Sequence, residues 1–177
     1  SNPVKPNRLS IQILAILVGL GLPTMIIFIR ELLNDKITTR HDIERLTQAA
    51  VLGEIGHSFA DDTLVVDKTS RGMVAEQFRI IRSNLQYILH HIEKPVLMVT
   101  SSFSGEGKSF VSTNMGAVMA LAGKKTVVLE FDIRKPKILS GLGLPRQSGI
   151  TNFVLGKAAV HELPMLVEGY ENLYVIG

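Results

Sequence analysis

Cysteine is absent from the 177 residues. Its absence removes disulfide scaffolds, thiolate zinc sites, iron–sulfur clusters and cysteine nucleophiles together, and leaves a reducing compartment open. Charge of one sign is also scarce, since 19 Lys and Arg stand against 16 Asp and Glu for a formal net charge of +3. So small an excess makes no electrostatic footprint for nucleic acid, and none is expected as a partner. Apolar residues are plentiful: 46% of the chain, enough for a packed core and too much for a chain disordered throughout. With 20% charged residues, a mean hydropathy of +0.25 requires the apolar residues to be concentrated somewhere.

They are concentrated near the start. Residues 9–29 form a run of 21 without one charge, in which only Ser10, Gln12 and Thr24 are clearly polar. A helix of that length, at about 1.5 Å per residue, is roughly 31 Å long and matches bilayer hydrocarbon. Gly19, Gly21 and Pro23 would weaken such a helix in water but are tolerated in lipid. The run exceeds the apolar stretch of a signal peptide, no Ala-x-Ala-like cleavage site follows it, and it lacks the polar face of a globular helix. A transmembrane helix over 9–29 is the expectation. Lys5 and Arg8 precede it while Arg30, Lys36, Arg40 and Arg45 follow, a bias that puts the C-terminal side in the cytoplasm. The Ser-Asn-Pro start with Pro3 and Pro6 reads as a point partway through a longer protein, just outside a membrane.

Beyond the span, Thr39 with Asp42 resembles a capping box that opens a short helix through Leu46. Residues 50–55 read as a short strand interrupted by Gly53, and the polar residues 56–70 as a linker. Over 73–92, Phe78, Ile81, Leu85, Ile88 and Ile92 recur at steps of three and four, which predicts one buried helical face. Glu76, Arg79 and Arg82 make a charged stripe away from it. Such a stripe is either a solvated face or a docking edge whose arginines meet carboxylates of another subunit; periodicity by itself favours the first.

Residues 95–100 (PVLMVT) are apolar without alternation, as in a buried parallel strand. They lead into 101–109 (SSFSGEGKS) and then a helical pattern through Ala122, with Gly123 as its stop. Strand, glycine loop and helix in that order make a phosphate site. Gly105 and Gly107 permit the positive φ angles with which backbone N–H groups curl around a polyanion, and the helix aims its positive end there. Lys108 is placed to reach β and γ phosphate oxygens, and the Ser109 hydroxyl to complete a Mg²⁺ shell. The first Gly of the strict G-x-x-x-x-G-K-[ST] pattern is Ser102 here. Residues 126–131 (TVVLEF) predict a second buried strand, at whose end Glu130 and Asp132 would face the phosphates. Asp132 is suited to hold Mg²⁺ through water or to accept a proton from an attacking hydroxyl.

Taken in order, the proline-flanked span, Glu76-x-x-Arg79-x-x-Arg82, the loop 101–109 and the segment 130–136 resemble the bacterial tyrosine kinases, the membrane-anchored autokinases of capsule and exopolysaccharide export. The resemblance covers almost the whole chain. It implies an α/β fold with a P-loop NTPase-type parallel sheet, incomplete here, preceded by one transmembrane α-helix. Residues 1–8 would end a periplasmic chain-length-determinant domain, 9–29 would span the inner membrane, 30–70 would form a juxtamembrane segment and linker, and 71–177 would begin a cytoplasmic kinase domain. ATP and Mg²⁺ are the implied cofactors. In the family's terms the loop is Walker A, contacting nucleotide through Ser104, Gly105, Glu106, Gly107, Lys108, Ser109 and Phe110, and the strand end is Walker A′. Lys108, Asp132 and Glu130 would be catalytic, and Ser109 and Asp132 would serve the metal. Glu76, Arg79 and Arg82 would pack subunits into a homo-oligomeric ring, which raises the docking reading; membrane lipid and the polysaccharide export machinery are the further implied partners. Glu130 stands where the family usually has Asp, and Ser104 where it has Pro. A Walker B Asp and a C-terminal tyrosine cluster are not reached by Gly177, so weak nucleotide binding without autophosphorylation is expected of this stretch alone. Tyr87, Tyr170 and Tyr174 read as packed or surface residues rather than phosphoacceptors.

Two other functions fit parts of the pattern. A partition or septum-positioning ATPase would carry a signature Lys where this chain has Phe103, and would lack an integral span. A membrane scaffold that sets polysaccharide chain length, with a degenerate nucleotide site, would show no metal-linked ATP binding.

Overall fold

A computed structural model describes residues 8–33, 37, 39–59 and 62–177. The expected end of an outer domain at 1–8, apart from Arg8, lies outside the described residues, as do Lys36 of the orientation count and residues 60–61 of the expected linker. Contacts divide the chain into two units, Ser1–Val51 and Leu52–Gly177.

The first unit holds α1 (Arg8–Leu32) and α2 (Arg40–Leu46). Among the described residues α1 is the one helix long and apolar enough to cross a membrane, and none of its side chains is buried by the protein. Thr24 within it donates its hydroxyl to the Leu20 carbonyl at 2.7 Å, so that polar group is satisfied without water. At α2 the capping box forms: the Asp42 amide donates to Thr39 Oγ1 at 3.3 Å and the Thr39 amide to Asp42 Oδ2 at 2.9 Å. These reciprocal bonds satisfy two of the amides that a helix start leaves open.

The second unit is mixed α/β. Its elements are α3 (Met73–Ile88), α4 (Lys108–Leu121), β1 (Thr126–Leu129), α5 (Ile138–Gly141), α6 (Ile150–Val154), a single 3₁₀ turn (Val160–Glu162), β2 (Met165–Leu166) and β3 (Leu173–Ile176). The sheet order is β1-β3-β2, with β1 parallel to β3 (Thr126 opposite Leu173, Leu129 opposite Ile176) and β2 antiparallel to β3. Phe78 of α3, Ala117 and Val118 of α4, and Val128, Leu173 and Val175 of the sheet build the core. Burying a side chain the size of Phe78 contributes about 2–3 kcal/mol. Gly116 lets α4 approach the sheet: a Cβ there would lie 2.6 Å from Val128 Cγ2 and 3.1 Å from Leu173 Cδ1.

Several sequence expectations are corrected. Residues 95–100 are not a strand; no ladder forms along them, and Val96 and Met98 are 93% and 87% exposed. An apolar run becomes a strand only beside a pairing neighbour, and β1 instead pairs with β3. Residues 50–55 are also irregular. Side chains of α3 hold two backbone groups near this segment: Asn84 Nδ2 donates to the Leu52 carbonyl at 2.7 Å, and Gln77 Oε1 accepts from the Gly56 amide at 2.8 Å. The polar stretch read as linker packs in part: Val66 is fully buried, and Asn114 brackets the segment, accepting from the Val65 amide at 2.9 Å and donating to the Thr63 carbonyl at 2.8 Å. Tyr170 OH donates to the Val66 carbonyl. The helix ends at Ile88 rather than Ile92, leaving both isoleucines half-exposed, and β1 stops before Phe131, which is 69% exposed.

Candidate functional site

The loop 101–107 enters α4 through two left-handed glycines, Gly105 at φ 93° and Gly107 at φ 94°, the latter as N-cap. L side chains are strained at that angle, which is the physical reason for glycine at both positions. The first helical bond runs from the Val111 amide to the Gly107 carbonyl at 2.8 Å. The amides of Lys108, Ser109 and Phe110 therefore have no acceptor within the helix and face the loop, where the helix dipole is positive. A second strand-end group comes close by direction. α4 turns back at Gly123 (φ 81°) into β1 and packs along it, with Gly116 against Val128. Helix and strand thus run antiparallel, so the C-terminal end of β1, with Glu130 and Asp132, lies toward the α4 N-terminus.

Lys108 folds over the loop, its ammonium donating to Ser101 Oγ at 2.7 Å and to the Phe103 carbonyl at 3.0 Å. Ser101 is a site residue that no sequence role was given; its hydroxyl donates to the Phe103 carbonyl at 2.8 Å. Glu106 Oε2 accepts from the Phe103 amide at 3.1 Å. That bond first, and then the Lys108 charge, hold the Glu106 carboxyl below its ordinary value. Phe110 turns its ring into the core beside Phe78, centroids 5.8 Å apart, so only its backbone faces the site.

Asp132 is exposed, and its Oδ1 accepts from the amides of Arg134 at 3.2 Å and Lys135 at 3.0 Å. Glu130, expected to face the phosphates and to be catalytic, is instead turned into the protein. It is 7% exposed, and its carboxylate accepts from the Lys137 amide at 2.5 Å and the Ile138 amide at 3.0 and 3.1 Å. A carboxylate committed to two amides in the protein interior is a cap for α5. On α3, Arg79 pairs with Glu76 at 3.1 Å and donates to the Ser70 carbonyl at 2.8 Å, while Arg82 Nε is buried and has no hydrogen-bond acceptor among the described residues. Tyr87 is exposed, Tyr170 is buried, and Tyr174 lies beneath Lys125, whose ammonium is 5.5 Å from the ring centroid.

These donors fit a magnesium–nucleotide better than a protein-held metal. Glycine-nest amides and one ammonium suit phosphate oxygens. The Ser109 hydroxyl and Asp132 carboxylate are hard oxygen donors for an ion that keeps its waters and takes phosphate ligands. Among the described residues, no group of three His, Cys, Asp or Glu side chains is placed to hold a metal unaided.

The class of protein comes first from the fold: a mixed α/β unit with a P-loop-type arrangement. It matches the kinase domain of Escherichia coli tyrosine kinase ETK with a TM-score of 0.71 at 19% identity, over 80% of this chain and 60% of that one. It matches the chimerical protein CapA2B2 with a TM-score of 0.65 at 27% identity, over 78% and 59%. No protein-family model matches the chain. Among curated proteins it is 29% identical over 174 residues to the putative tyrosine-protein kinase EpsB of Ralstonia solanacearum, covering 91% of this chain and 23% of that protein. It is 36% identical over 94 residues to the putative tyrosine-protein kinase CapB of Staphylococcus aureus, covering 53% and 41%. A further relative, 30% identical over 106 residues (56% of this chain, 14% of the relative), is the succinoglycan biosynthesis transport protein ExoP of Rhizobium meliloti (strain 1021). The resemblance to bacterial tyrosine kinases therefore holds in both sequence and fold. The chain spans less than a quarter of the length of EpsB.

Proposed function

We propose that this chain is the membrane-anchored, nucleotide-binding part of an ATP-dependent protein tyrosine autokinase that controls polymerisation and export of a bacterial capsule or exopolysaccharide. The observation that carries the reading is the pair of left-handed glycines around Glu106 at the start of α4, with Lys108 as the first helical residue. The relatives' names support the kinase and polysaccharide parts. In this reading α1 spans the inner membrane and residues after it are cytoplasmic, with lipid and the export machinery as partners.

MgATP bound here would supply the phosphoryl group, and the chain's own contribution is positioning and charge neutralisation. Gly105 and Gly107 shape the backbone so that the amides of Lys108, Ser109 and Phe110 converge on phosphate oxygens. Lys108 leaves Ser101 and the Phe103 carbonyl to meet the same oxygens. Ser109 and Asp132 hold the metal's side of the polyphosphate. Glu76, Arg79 and Arg82 form the edge of a homo-oligomeric ring, where the exposed end of the Arg82 guanidinium would meet a neighbouring subunit's carboxylate. A radiolabelled-ATP assay on the full-length protein tests the activity. Tyrosine label that is lost in Lys108→Met supports the reading, and equal labelling of the variant contradicts it.

A further inference from the structure

Residues 131–137 join β1 to α5 as a loop. Asp132, Arg134 and Lys135 sit exposed on it, as do Phe131 and Ile133. A single residue, Glu130, ties the loop at both ends. Its amide donates to the Ile176 carbonyl at 2.8 Å, which extends the β1–β3 ladder by one residue. Its carboxylate reaches across to accept from the Lys137 and Ile138 amides, at 2.5 Å and at 3.0 and 3.1 Å. The near end is thus fixed by the sheet and the far end by a side chain. Charge-assisted bonds from backbone amides to a carboxylate are among the stronger protein hydrogen bonds.

The reach of that side chain is specific. An aspartate at the same backbone position would fall short by about one carbon–carbon bond, roughly 1.5 Å. Contacts of 2.5–3.1 Å would then open beyond hydrogen-bonding range. A glutamine would keep an acceptor oxygen in place but lose the charge.

We propose that Glu130 is a positioning residue: by clamping the Lys137 and Ile138 amides it closes the base of the 131–137 loop and holds Asp132 toward the N-terminus of α4. The inference rests on the assignment of Asp132 to the metal side of the nucleotide site. It also gives Glu130 a role distinct from proton transfer, since the carboxylate oxygens face backbone amides rather than an incoming hydroxyl.

Limited trypsin digestion of the chain in detergent micelles tests the clamp without nucleotide. Cleavage after Arg134 reads the loop, and cleavage after the exposed Lys157 reads opening elsewhere. Slow cleavage tracks the population of the opened state, so loss of a charge-assisted cap should speed cleavage after Arg134 roughly tenfold in Glu130→Asp and Glu130→Ala, with Lys157 within about twofold. Glu130→Gln should lie between. An unchanged rate after Arg134, or equal acceleration at both sites, would overturn the clamp. The positioning role has a second readout on the same variants, the gain in ATP affinity that Mg²⁺ brings. Glu130→Asp should lose that gain and keep metal-free binding; a freed loop with an undiminished Mg²⁺ gain would overturn positioning. If the unsubstituted chain binds no ATP, the nucleotide reading falls and takes the positioning role with it, while the digestion still decides the clamp.

Discussion

Gly116 is the point where the fold leaves least room, and Gly116→Ala measures it. A new Cβ would sit 2.6 Å from Val128 Cγ2 and 3.1 Å from Leu173 Cδ1. Val128 is β-branched and held in the sheet, so its methyl cannot swing aside as the end of a long side chain would. Two terms oppose each other. Alanine in a helix is favoured over glycine by about 1 kcal/mol, whereas overpacking a filled core costs about 1–3 kcal/mol. The geometry puts the clash in the upper part of that range, and a net loss of about 1–2 kcal/mol is expected. Urea denaturation followed by far-UV circular dichroism in detergent reads it as a lower midpoint. Val128→Ala removes the clashing methyl, so the double variant should be more stable than the sum of the two single losses by about 1 kcal/mol or more. Because α4 carries Lys108 and Ser109 at its far end, the single variant should also weaken ATP binding. A Gly116→Ala chain as stable as the parent, or more so, would refute the close approach of α4 to the sheet.

Further expectations concern the segment before α3 and the pH dependence of the fold. Asn114→Ala strips partners from the Val65 amide and the Thr63 carbonyl and should cost about 2–4 kcal/mol, with hydrogen exchange rising at residue 65. Asp67 is held below its ordinary value of 3.8 by the Thr69 hydroxyl, then by the Thr69 and Ser70 amides, with the Arg79 charge adding to them. A lowered folded-state value gives stability that is present above 3.8 and lost as pH falls through the folded-state value. Asp67→Asn should therefore flatten the acid limb of a stability–pH curve, and an unchanged limb would contradict the assignment. Burial first, and then the Asp67 charge, raise the Tyr170 phenol above 10.0. Its contribution is complete below that pH and disappears as pH rises through the folded-state value. Tyr170→Phe should remove the alkaline loss and cost about 1 kcal/mol at neutral pH through the bond to the Val66 carbonyl.

The parts of this fold legible in the sequence are those set by local chemistry. The Thr39–Asp42 box, the left-handed Gly105 and Gly107, and the stop at Gly123 each follow from what one or two residues permit within a few positions, and all form. The start of β1 is legible for the same reason. Features that depend on distant pairing were not. The strand expected at 95–100 has the right composition but no neighbour in the ladder, while Leu173–Ile176 pairs with β1 across more than forty residues. An apolar, β-branched LYVI run was the available signal for β3. The polar 56–70 stretch misled because its anchors, Asn114 and Tyr170, lie far along the chain. Within the candidate site, residue types marked the left-handed turn that leads into α4, but Glu130 shows the limit of that reasoning. Its acidic side chain at a strand end suggested chemistry, and only the positions of the Lys137 and Ile138 amides reveal a cap. The sequence likewise offered two readings of Arg79 and Arg82: Arg79 is engaged by Glu76 and the Ser70 carbonyl, and among the described residues Arg82 Nε has no acceptor.

The central claim is that the amides at the start of α4 and the Lys108 ammonium form a phosphate site. Isothermal titration of ATP into the chain in detergent micelles, with and without Mg²⁺, tests it directly, with Lys108→Met as the comparison. Saturable heat that strengthens with Mg²⁺ and is largely lost in the variant is the expected result. No heat from the parent chain, or the same heat from Lys108→Met, would contradict it.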